Sequence, residues 1–356
     1  MNYTFSDTWP ISLKGYALRK NARQTVLAGD VGGTKTILAI FSVRNGEFSL
    51  LRSQRFESGG YKKFTDMLEA FLQQEEKNSI RHICLGVAGP VFANRVKLTN
   101  LSYTIDADEI AAHFGIADVS LINDLEATGY GLCLLPKEHI HTLISPQEKP
   151  YGNMAIIAPG TGLGEAGLYF DGKEYHIFPT EGGHCDFAPR TAMDMALYHY
   201  LQNRFGVVSV ERVLSGPGII SIHDFLVQEL ERPASSQYLE GFNAAGDKQK
   251  PAVISKAAIE NKEAVCVETM ELFVRYLARE SSNLVLKIKA TGGLFLAGGI
   301  PPKIIDLLTT DLFRTSFLDA GVMTQLVEKV PLYIIQNEQT ALLGAANYAA
   351  FGAEKD

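Results

Sequence analysis

A β-strand that leads into a glycine-rich turn and directly on into a second strand occurs twice in this chain. The first copy has its turn at residues 29–34 and the second at residues 159–164, and β-branched apolar runs flank both turns. Helical stretches follow each copy, notably at 61–74 and 192–205. The chain has 356 residues, 46% of them hydrophobic, which is enough for about two domains of roughly 150 residues each. The repeat therefore predicts an α/β protein with two domains.

The composition argues against several classes of protein. A formal net charge of −7 without any long basic run disfavours nucleic acid or a membrane surface as a partner. The four cysteines are scattered with no CxxC pair, which is typical of reduced thiols in the cytoplasm. No apolar stretch approaches the ~18 residues of a membrane span, and residues 1–25 lack the apolar core of a secretory signal. We therefore expect a soluble, cytoplasmic protein with an N-terminal arm packed on its body.

Neither glycine turn has the spacing of a known nucleotide fingerprint. A Walker A loop fails at Thr34, and no helix follows the first turn. Glycines leave the backbone bare, however, so amide N–H groups can approach phosphate oxygens. One such turn could be an ordinary hairpin, whereas two facing turns could clamp a triphosphate. The candidate phosphate-binding residues are Gly29, Asp30, Val31, Gly32, Gly33 and Thr34 in the first turn and Gly160 and Thr161 in the second.

Two further features complete a nucleotide site. Gly298 and Gly299 follow a third apolar run, where bare backbone could lie against the base and ribose. Asp30 ends the first strand, a position from which it could hold a hydrated Mg²⁺, since this ion keeps several waters and takes only one or two carboxylates. The pattern predicts that Asp30 contacts Mg²⁺ through water.

The candidate for chemistry is Asp124, which follows the β-branched run 119–122 and precedes a helix predicted over 126–135. A carboxylate in such a position can accept the proton of a hydroxyl during phosphoryl transfer. It can equally serve as the N-cap of the helix, a position that Asp favours. The position alone leaves both interpretations open.

A polar set near the second glycine turn could bind a sugar. Glu181 and His184 bracket two glycines, so an acid and an imidazole can reach one ligand from a tight turn. Zinc would require further ligands, and Cys185, directly after His184, is poorly placed to share a tetrahedral site. Sugar hydroxyls both donate and accept hydrogen bonds, so they suit these groups better. Glu211 could add another acceptor or be a solvated acid at a helix end.

Taken in order, these motifs resemble those of the bacterial-type glucokinases, within the superfamily of actin, Hsp70 and hexokinase ATPases. The resemblance covers nearly the whole chain, from about Val26 to Tyr348. It is carried by the segments GDVGGT, VAGPV, LTNLSY, INDLEA, PGTGLG, EGGHCDFAP, ERVLSGPG and LAGGI. The resemblance implies two ribonuclease-H-like (actin-like ATPase) α/β domains with a cleft between them. We expect a small domain at 26–134 plus 337–356, a large domain at 135–336, and the arm at 1–25.

The same resemblance implies an ATP-dependent glucokinase that converts glucose to glucose 6-phosphate at the start of glycolysis. Asp124 would be the general base, Mg²⁺ would accompany ATP, and the family tends toward homodimers. The cysteine-rich zinc motif of the related ROK sugar kinases is missing, so no structural zinc is expected. The implied glucose-binding residues are Asn100, Asn123, Asp124, Gly162, Glu181, His184 and Glu211.

Several alternatives stay open at the level of the sequence. The substrate could be another hexose, such as fructose, mannose or an N-acetylated amino sugar, and the phosphoryl donor could be polyphosphate. The chain could also be a non-catalytic, ATP-dependent sugar-binding or regulatory protein, since glycine turns recognise phosphates in either case. Lys35, after the first turn, has no assigned role and is expected to be solvated.

Overall fold

The computed structural model describes residues 2–6, 8–72, 79–98, 101, 103–116, 118–146 and 150–352. The chain divides into two compact units, of which the first comprises Met1–Ile140, Leu168–Pro179 and Asn337–Asp356 and the second His141–Gly167 and Thr180–Gln336. The hairpin at Leu168–Pro179, expected in the large domain, therefore groups with the first unit. The arm at 1–25 also belongs to the first unit rather than standing apart.

Fourteen strands lie in the described ranges and form two six-stranded sheets and one hairpin. They are β1 (Asn2–Tyr3), β2 (Arg23–Val31), β3 (Lys35–Arg44), β4 (Glu47–Glu57), β5 (Ile80–Val87), β6 (Arg95–Lys97), β7 (Thr104–Asp106), β8 (Asp118–Asn123), β9 (Ile140–Ile144), β10 (Met154–Pro159), β11 (Leu163–Phe170), β12 (Tyr175–Thr180), β13 (Gly293–Leu296) and β14 (Leu332–Ile335). The first sheet has the order β1-β4-β3-β2-β5-β8 and the second β12-β11-β10-β13-β14-β9.

The α-helices of the described ranges flank these sheets. They are α1 (Tyr16–Arg19), α2 (Phe64–Phe71), α3 (Ala107–Phe114), α4 (Asp124–Gly131), α5 (Ala192–Phe205), α6 (Gly216–Gln228), α7 (Ser236–Ala244), α8 (Lys250–Ile259), α9 (Ala264–Ile288), α10 (Ile305–Leu308), α11 (Asp311–Leu318), α12 (Thr324–Val327) and α13 (Thr340–Phe351). None of them combines the length and the apolar character that a bilayer crossing requires.

In the first unit, helices cover both faces of the sheet. On one face Leu27, Leu38 and Leu85 pack against Met67 of α2 and Ile110 of α3. On the other face α13, the last helix of the described chain, packs on α4, β2 and β5. These helices approach so closely that a Cβ added at Gly344 would lie 1.6 Å from the Ala127 carbonyl oxygen. Small residues at this crossing therefore set the distance between α13 and α4.

The N-terminal arm is part of the first unit's core. β1 pairs with β4 in an antiparallel register, and the Ser12 amide donates to the Tyr175 carbonyl oxygen at 2.9 Å. The Phe5 ring packs edge-on against Tyr16 and lies close to Phe351 of α13. The prediction of a packed arm is confirmed, because its aromatic and aliphatic side chains bury apolar surface against the body.

In the second unit, strands β10, β13 and β14 are parallel and the long helix α9 crosses their sheet. The polar composition of segment 231–249 predicts a surface loop, whereas residues Ser236–Ala244 within it form helix α7. Ser235 caps this helix by accepting from the Tyr238 amide, and Phe242 buries its ring against His223. The loop prediction was wrong because one cap and one aromatic anchor stabilise a helix that composition alone does not indicate.

Candidate active site

Asp124 is the first helical residue of α4, at the end of β8. The N-cap is Asn123: its Oδ1 accepts from the Leu125 amide at 2.9 Å, and its own amide donates to Glu126 Oε2 at 3.0 Å. Asp124 Oδ1 also accepts from the Leu125 amide at 2.9 Å. The helix thus begins two residues earlier than predicted. Because Asn123 and Glu126 form a complete capping box, the helix does not depend on Asp124 for its cap.

Asp30 and Asp124 lie on either side of Gly86. Asp30 is opposite Gly86 in the parallel ladder of β2 and β5, where neighbouring strands are about 4.8 Å apart. A Cβ added at Gly86 would lie 4.0 Å from Asp124 Cα and 2.9 Å from Ala127 Cβ. Glycine at this position therefore lets α4 bring Asp124 close to the strand that carries Asp30.

The charge of Asp30 is influenced by a lysine of the same turn. Burial raises the pKa of the Asp30 carboxyl, and the Lys35 ammonium opposes that rise. Lys35 therefore has an electrostatic role that its sequence position did not indicate. No group of three His, Cys, Asp or Glu side chains within the described ranges is arranged to hold a metal ion. Asp30 alone fits a cation that takes most of its ligands from water and phosphate, as Mg²⁺ does.

The first glycine turn has a packed part and an open part. Gly29 and Val31 face the core, where a Cβ on Gly29 would lie 2.6 Å from Leu85 Cδ2. The Gly32 amide donates to the Lys35 carbonyl oxygen at 3.0 Å. Within the described part of the chain, the amides of Gly33 and Thr34 have no acceptor. Neither Gly32 nor Gly33 has a positive φ, so the turn geometry does not itself require glycine there.

The second and third glycine turns meet in the second unit. The Gly160 carbonyl oxygen accepts from the Gly216 amide at 2.8 Å, and the Pro159 carbonyl oxygen accepts from the Ile300 amide at 3.3 Å. A Cβ added at Gly160 would lie 3.8 Å from the Gly299 nitrogen. The structure thus brings together the two turns that the sequence placed about 140 residues apart.

Sequence reasoning did not assign Gly216, which begins helix α6 beside these turns. Ser215 caps α6 by accepting from the Gly218 amide at 3.1 Å. The dipole of a helix is positive at its N-terminus, which favours anions nearby. In α6 the Gly216 and Gly218 amides are already paired, so the dipole and not free amides would act here. The Ser-Gly-Pro-Gly sequence was a signal for this helix start, since Pro is favoured in the first turn.

The predicted sugar-binding residues of the second unit gather around Leu163. The Leu163 amide donates to Glu211 Oε2 at 2.9 Å, and a Cβ added at Gly162 would lie only 2.5 Å from the same oxygen. A Cβ at Gly183 would lie 2.1 Å from the Leu163 carbonyl oxygen. Glycine is required at Gly183, where backbone atoms occupy the space of a side chain. At Gly162 the end of the Glu211 side chain occupies that space, so a larger residue would displace this carboxylate.

Glu181 and His184 lie on a turn that leaves both side chains open to a ligand. The two side chains are 57% and 63% exposed, and Glu181 Oε2 is 3.7 Å from His184 Nδ1. The residues between them form a short 3₁₀ turn whose backbone rests on β11. We name residues 181–184 the EGGH turn. Asn100, the remaining predicted sugar-binding residue, lies outside the described residues.

Comparison with known proteins places the chain in a family. The sequence model of the glucokinase family matches residues 27–351. A glucokinase of Trichormus variabilis is 39% identical over 337 residues, which cover 91% of this chain and 98% of that protein. A glucokinase of Synechocystis is 36% identical over 345 residues, with coverage of 91% and 97%.

Solved structures share the fold. The crystal structure of a glucokinase from an Antarctic psychrotroph has a TM-score of 0.77 at 28% identity and covers 92% of this chain and 98% of its own. A glucokinase of Balamuthia mandrillaris in complex with glucose has a TM-score of 0.72 at 22% identity. The predicted pair of α/β domains of the actin-like ATPase type is confirmed. The chain belongs to the glucokinase family and is an ATP-dependent hexose kinase.

Proposed function

We propose that this enzyme transfers the γ-phosphoryl group of ATP to the 6-hydroxyl of glucose, giving glucose 6-phosphate and ADP, with Asp124 as the general base. The observation that carries the proposal is the position of Asp124 as the first residue of a helix that Asn123 caps. A carboxylate at the end of a strand, on a helix start that Asn123 caps, can accept the proton of a hydroxyl. The relatives that share the chain's length bear the name glucokinase, which supports glucose as the sugar.

Asp124 would accept the proton of the sugar hydroxyl as that oxygen attacks the phosphorus. The Asn123 side-chain amide, which donates to the Gly89 carbonyl oxygen at 3.3 Å, helps to hold the start of the helix in place. The Gly160 amide donates to the Gly162 carbonyl oxygen at 2.8 Å, so this glycine would contribute bare backbone and not a donor. The amides of Gly33, Thr34 and Thr161 would stabilise charge on the phosphate oxygens. Positioning and electrostatic stabilisation by such hydrogen-bond donors account for most of the rate enhancement in enzymatic phosphoryl transfer.

Mg²⁺ would be held by Asp30, through water, together with the phosphates of ATP. When bound, the ion neutralises phosphate charge and orients the transferred group. The half-buried Asp30 carboxyl, whose pKa is raised by desolvation, supports this assignment, because a nearby cation offsets the cost of its ionisation. We expect a chelator such as EDTA to abolish phosphorylation and added Mg²⁺ to restore it.

Glucose would be held by hydrogen bonds between its hydroxyls and the predicted sugar-binding residues. In the second unit the acceptors would be Glu181 and Glu211, with His184 as donor or acceptor and Gly162 close to the ring. In the first unit the partners would be Asn100, Asn123 and Asp124. We further propose a homodimer that acts in the cytoplasm, where its product begins glycolysis.

A coupled assay of ADP formation with glucose, ATP and Mg²⁺ tests the proposed function. Parallel assays with fructose, mannose and N-acetylglucosamine measure the preference among sugars, and polyphosphate tests the phosphoryl donor. Glucose should give the highest kcat/KM with ATP. A higher kcat/KM for another hexose would overturn the assignment of glucose. ATP binding without hexose binding or turnover, measured by calorimetry, would overturn the assignment of a kinase.

A further inference from the structure

A buried carboxylate lies directly beneath the EGGH turn. Glu165 is in β11, two residues after Leu163, and is only 2% exposed. A Cβ added at Gly182 would lie 1.9 Å from Glu165 Oε2, so this carboxyl contacts the backbone of the turn itself. The other oxygen, Oε1, has no hydrogen-bond partner among the described residues. A buried polar atom without a partner is costly and therefore needs an explanation.

The nearest cation is already bound to another acid. Glu280 of α9 is 6% exposed; its Oε1 is 2.9 Å from Lys287 Nζ, and its Oε2 accepts from Asn283 Nδ2 at 2.9 Å. Burial raises the pKa of Glu165 to about 7, repulsion from Glu280 adds to the rise, and Lys287 opposes it. Glu165 therefore exchanges a proton near neutral pH, while it is packed under the turn.

We propose that Glu165 is a positioning residue for the EGGH turn: its side chain, packed against Gly182, holds Glu181 and His184 in the geometry that binds the sugar. This inference rests on the proposed function of that turn. The neutral form fits because a protonated carboxyl places no charge against the Gly182 backbone. The ionised form would face Glu280 on α9 and add negative charge beneath Glu181, with Lys287 shared between two acids.

Of the elements packed around Glu165, the EGGH turn is the one that can move most easily. Glu165 is part of a sheet and Glu280 of a 25-residue helix, whereas the EGGH turn is a single short turn with exposed side chains. The exposed Cys185 follows the turn and interacts electrostatically with Lys287, as Glu165 does. Ionisation of Glu165 should therefore displace the turn and weaken sugar binding, while the ATP-binding turns keep their positions.

The substitution Glu165→Gln tests this role, because it keeps the shape of the side chain and removes its ionisation. In the wild-type enzyme, we expect the KM for glucose to rise at least about fivefold from pH 6 to pH 8.5, the lower range of coupled equilibria, and less than about twofold in Glu165→Gln. The KM for ATP should have the same pH profile in both proteins. Glu181, His184 and Cys185 are present in both, so the difference isolates Glu165.

A second variant should change the pH at which the KM for glucose rises, without removing the rise. Glu280→Gln frees Lys287 for Glu165 and lowers the pKa of that carboxyl, so the rise in KM should move to lower pH. Glu268→Gln is the matched control: it neutralises an acid of the same helix, one whose exposed pair with Arg232 lies away from the turn. Its pH profile should match that of the wild type.

Calorimetric titration of glucose at the same pH values measures sugar binding independently of turnover. An active wild-type enzyme whose pH profile for glucose is unchanged by Glu165→Gln would overturn this inference and leave the proposed function intact. A wild-type protein that neither binds nor phosphorylates any hexose would overturn both.

Discussion

In the first unit, the carboxylate of the proposed base is placed by hydrogen bonds within four consecutive residues, whereas in the second unit the acids near the sugar are placed by contacts between distant segments. Asn123, Asp124 and Glu126 form one capped helix start. Glu211, by contrast, binds the Leu163 amide across 48 residues of sequence, and Glu165 is buried under Gly182. The two groups serve one proposed reaction but depend on different interactions.

This difference determines which substitutions would displace the residues of each group. A capping box is satisfied by the side chains and amides of the helix start itself, so it tolerates changes elsewhere. The acids of the second unit touch glycines, and a single added methyl group would displace them. Substitutions should therefore act on chemistry in the first unit and on sugar binding in the second.

The largest expected effect comes from the first unit. Asp124→Ala should lower kcat at least about 10²-fold, the lower range for loss of a general base, while the Kd for glucose changes only a few-fold. Steady-state kinetics and calorimetry measure both. Asp106→Ala is the matched control, because Asp106 caps α3 of the same unit; it should cost about 1 kcal/mol of stability and leave kcat unchanged. Unchanged turnover in Asp124→Ala would rule out the assigned base.

A single methyl group tests the contacts of the second unit. In Gly162→Ala, the new Cβ would lie 2.5 Å from Glu211 Oε2 and should push this carboxylate off the Leu163 amide. Loss of a hydrogen bond to a charged group costs about 1.5–3 kcal/mol, so the KM for glucose should rise about tenfold or more. Gly241→Ala, on α7, meets no atom within 4 Å and should leave KM unchanged. Equal KM values in the two variants would contradict a role for Glu211 in sugar binding.

The buried acid predicts a stability difference that depends on pH. The pKa of Glu165 is about 7 in the folded protein against an ordinary value of 4.5. The folded state therefore holds this proton more tightly than the unfolded state, and its stability falls as the pH rises from 4.5 to above 7. Glu165→Gln lacks this loss, so at pH 8 it should be more stable than the wild type by about 2 kcal/mol, with little difference near pH 4.5.

Urea denaturation at the two pH values measures this difference. Glu268→Gln, which removes a half-buried acid of α9 that pairs with Arg232, should change stability by less than about 1 kcal/mol at both. If Glu165→Gln and the wild type are equally stable at pH 8, burial does not hold the carboxyl neutral. Glu165 would then not differ in this respect from the carboxylate of Asp124 in the first unit.

The smallest expected effect concerns the Asn123 cap, which is part of the locally placed helix start in the first unit. Asn123→Ala removes the acceptor for the Leu125 amide and should cost about 1 kcal/mol of stability. Asn123→Asp keeps an acceptor oxygen at the same place and should cost less. Thermal or urea unfolding of the two variants measures the cap by itself. Equal losses would mean that the amide contact with Gly89, and not the cap, stabilises this helix start.

Long periodic elements were predictable from sequence. Helix α5 has the predicted bounds 192–205, because apolar periodicity and capping residues such as Thr191 are signals carried by neighbouring residues. The two-residue strand β1 and the three-residue strands β6 and β7 were missed, since segments so short have no pattern. Helix α7 was missed because its composition is polar.

The candidate site was predictable in its residue types and less so in their roles. Glycine-rich turns and flanking acids pointed to phosphate and sugar chemistry, yet the same glycines have different functions in the structure. Gly29 makes room for Leu85 and Gly162 for Glu211, whereas Gly33 leaves its amide open. Only contacts from other segments distinguish these roles. The capping role considered for Asp124 belongs to Asn123, because the helix has its N-cap at residue 123 and its first helical residue at 124.

The sequence by itself determined the doubled strand, turn and strand, the order of the motifs, and therefore the family, because these depend on residue types at short spacings. Tertiary structure alone decided that Glu165 is buried while Glu181 is exposed, and that Gly160 meets Gly216 and Gly299. The physical reason is that burial and close approach are properties of the space that distant segments share. The carboxyl of a glutamate is ionised at neutral pH in water, and its pKa rises toward neutral pH only when such segments enclose it.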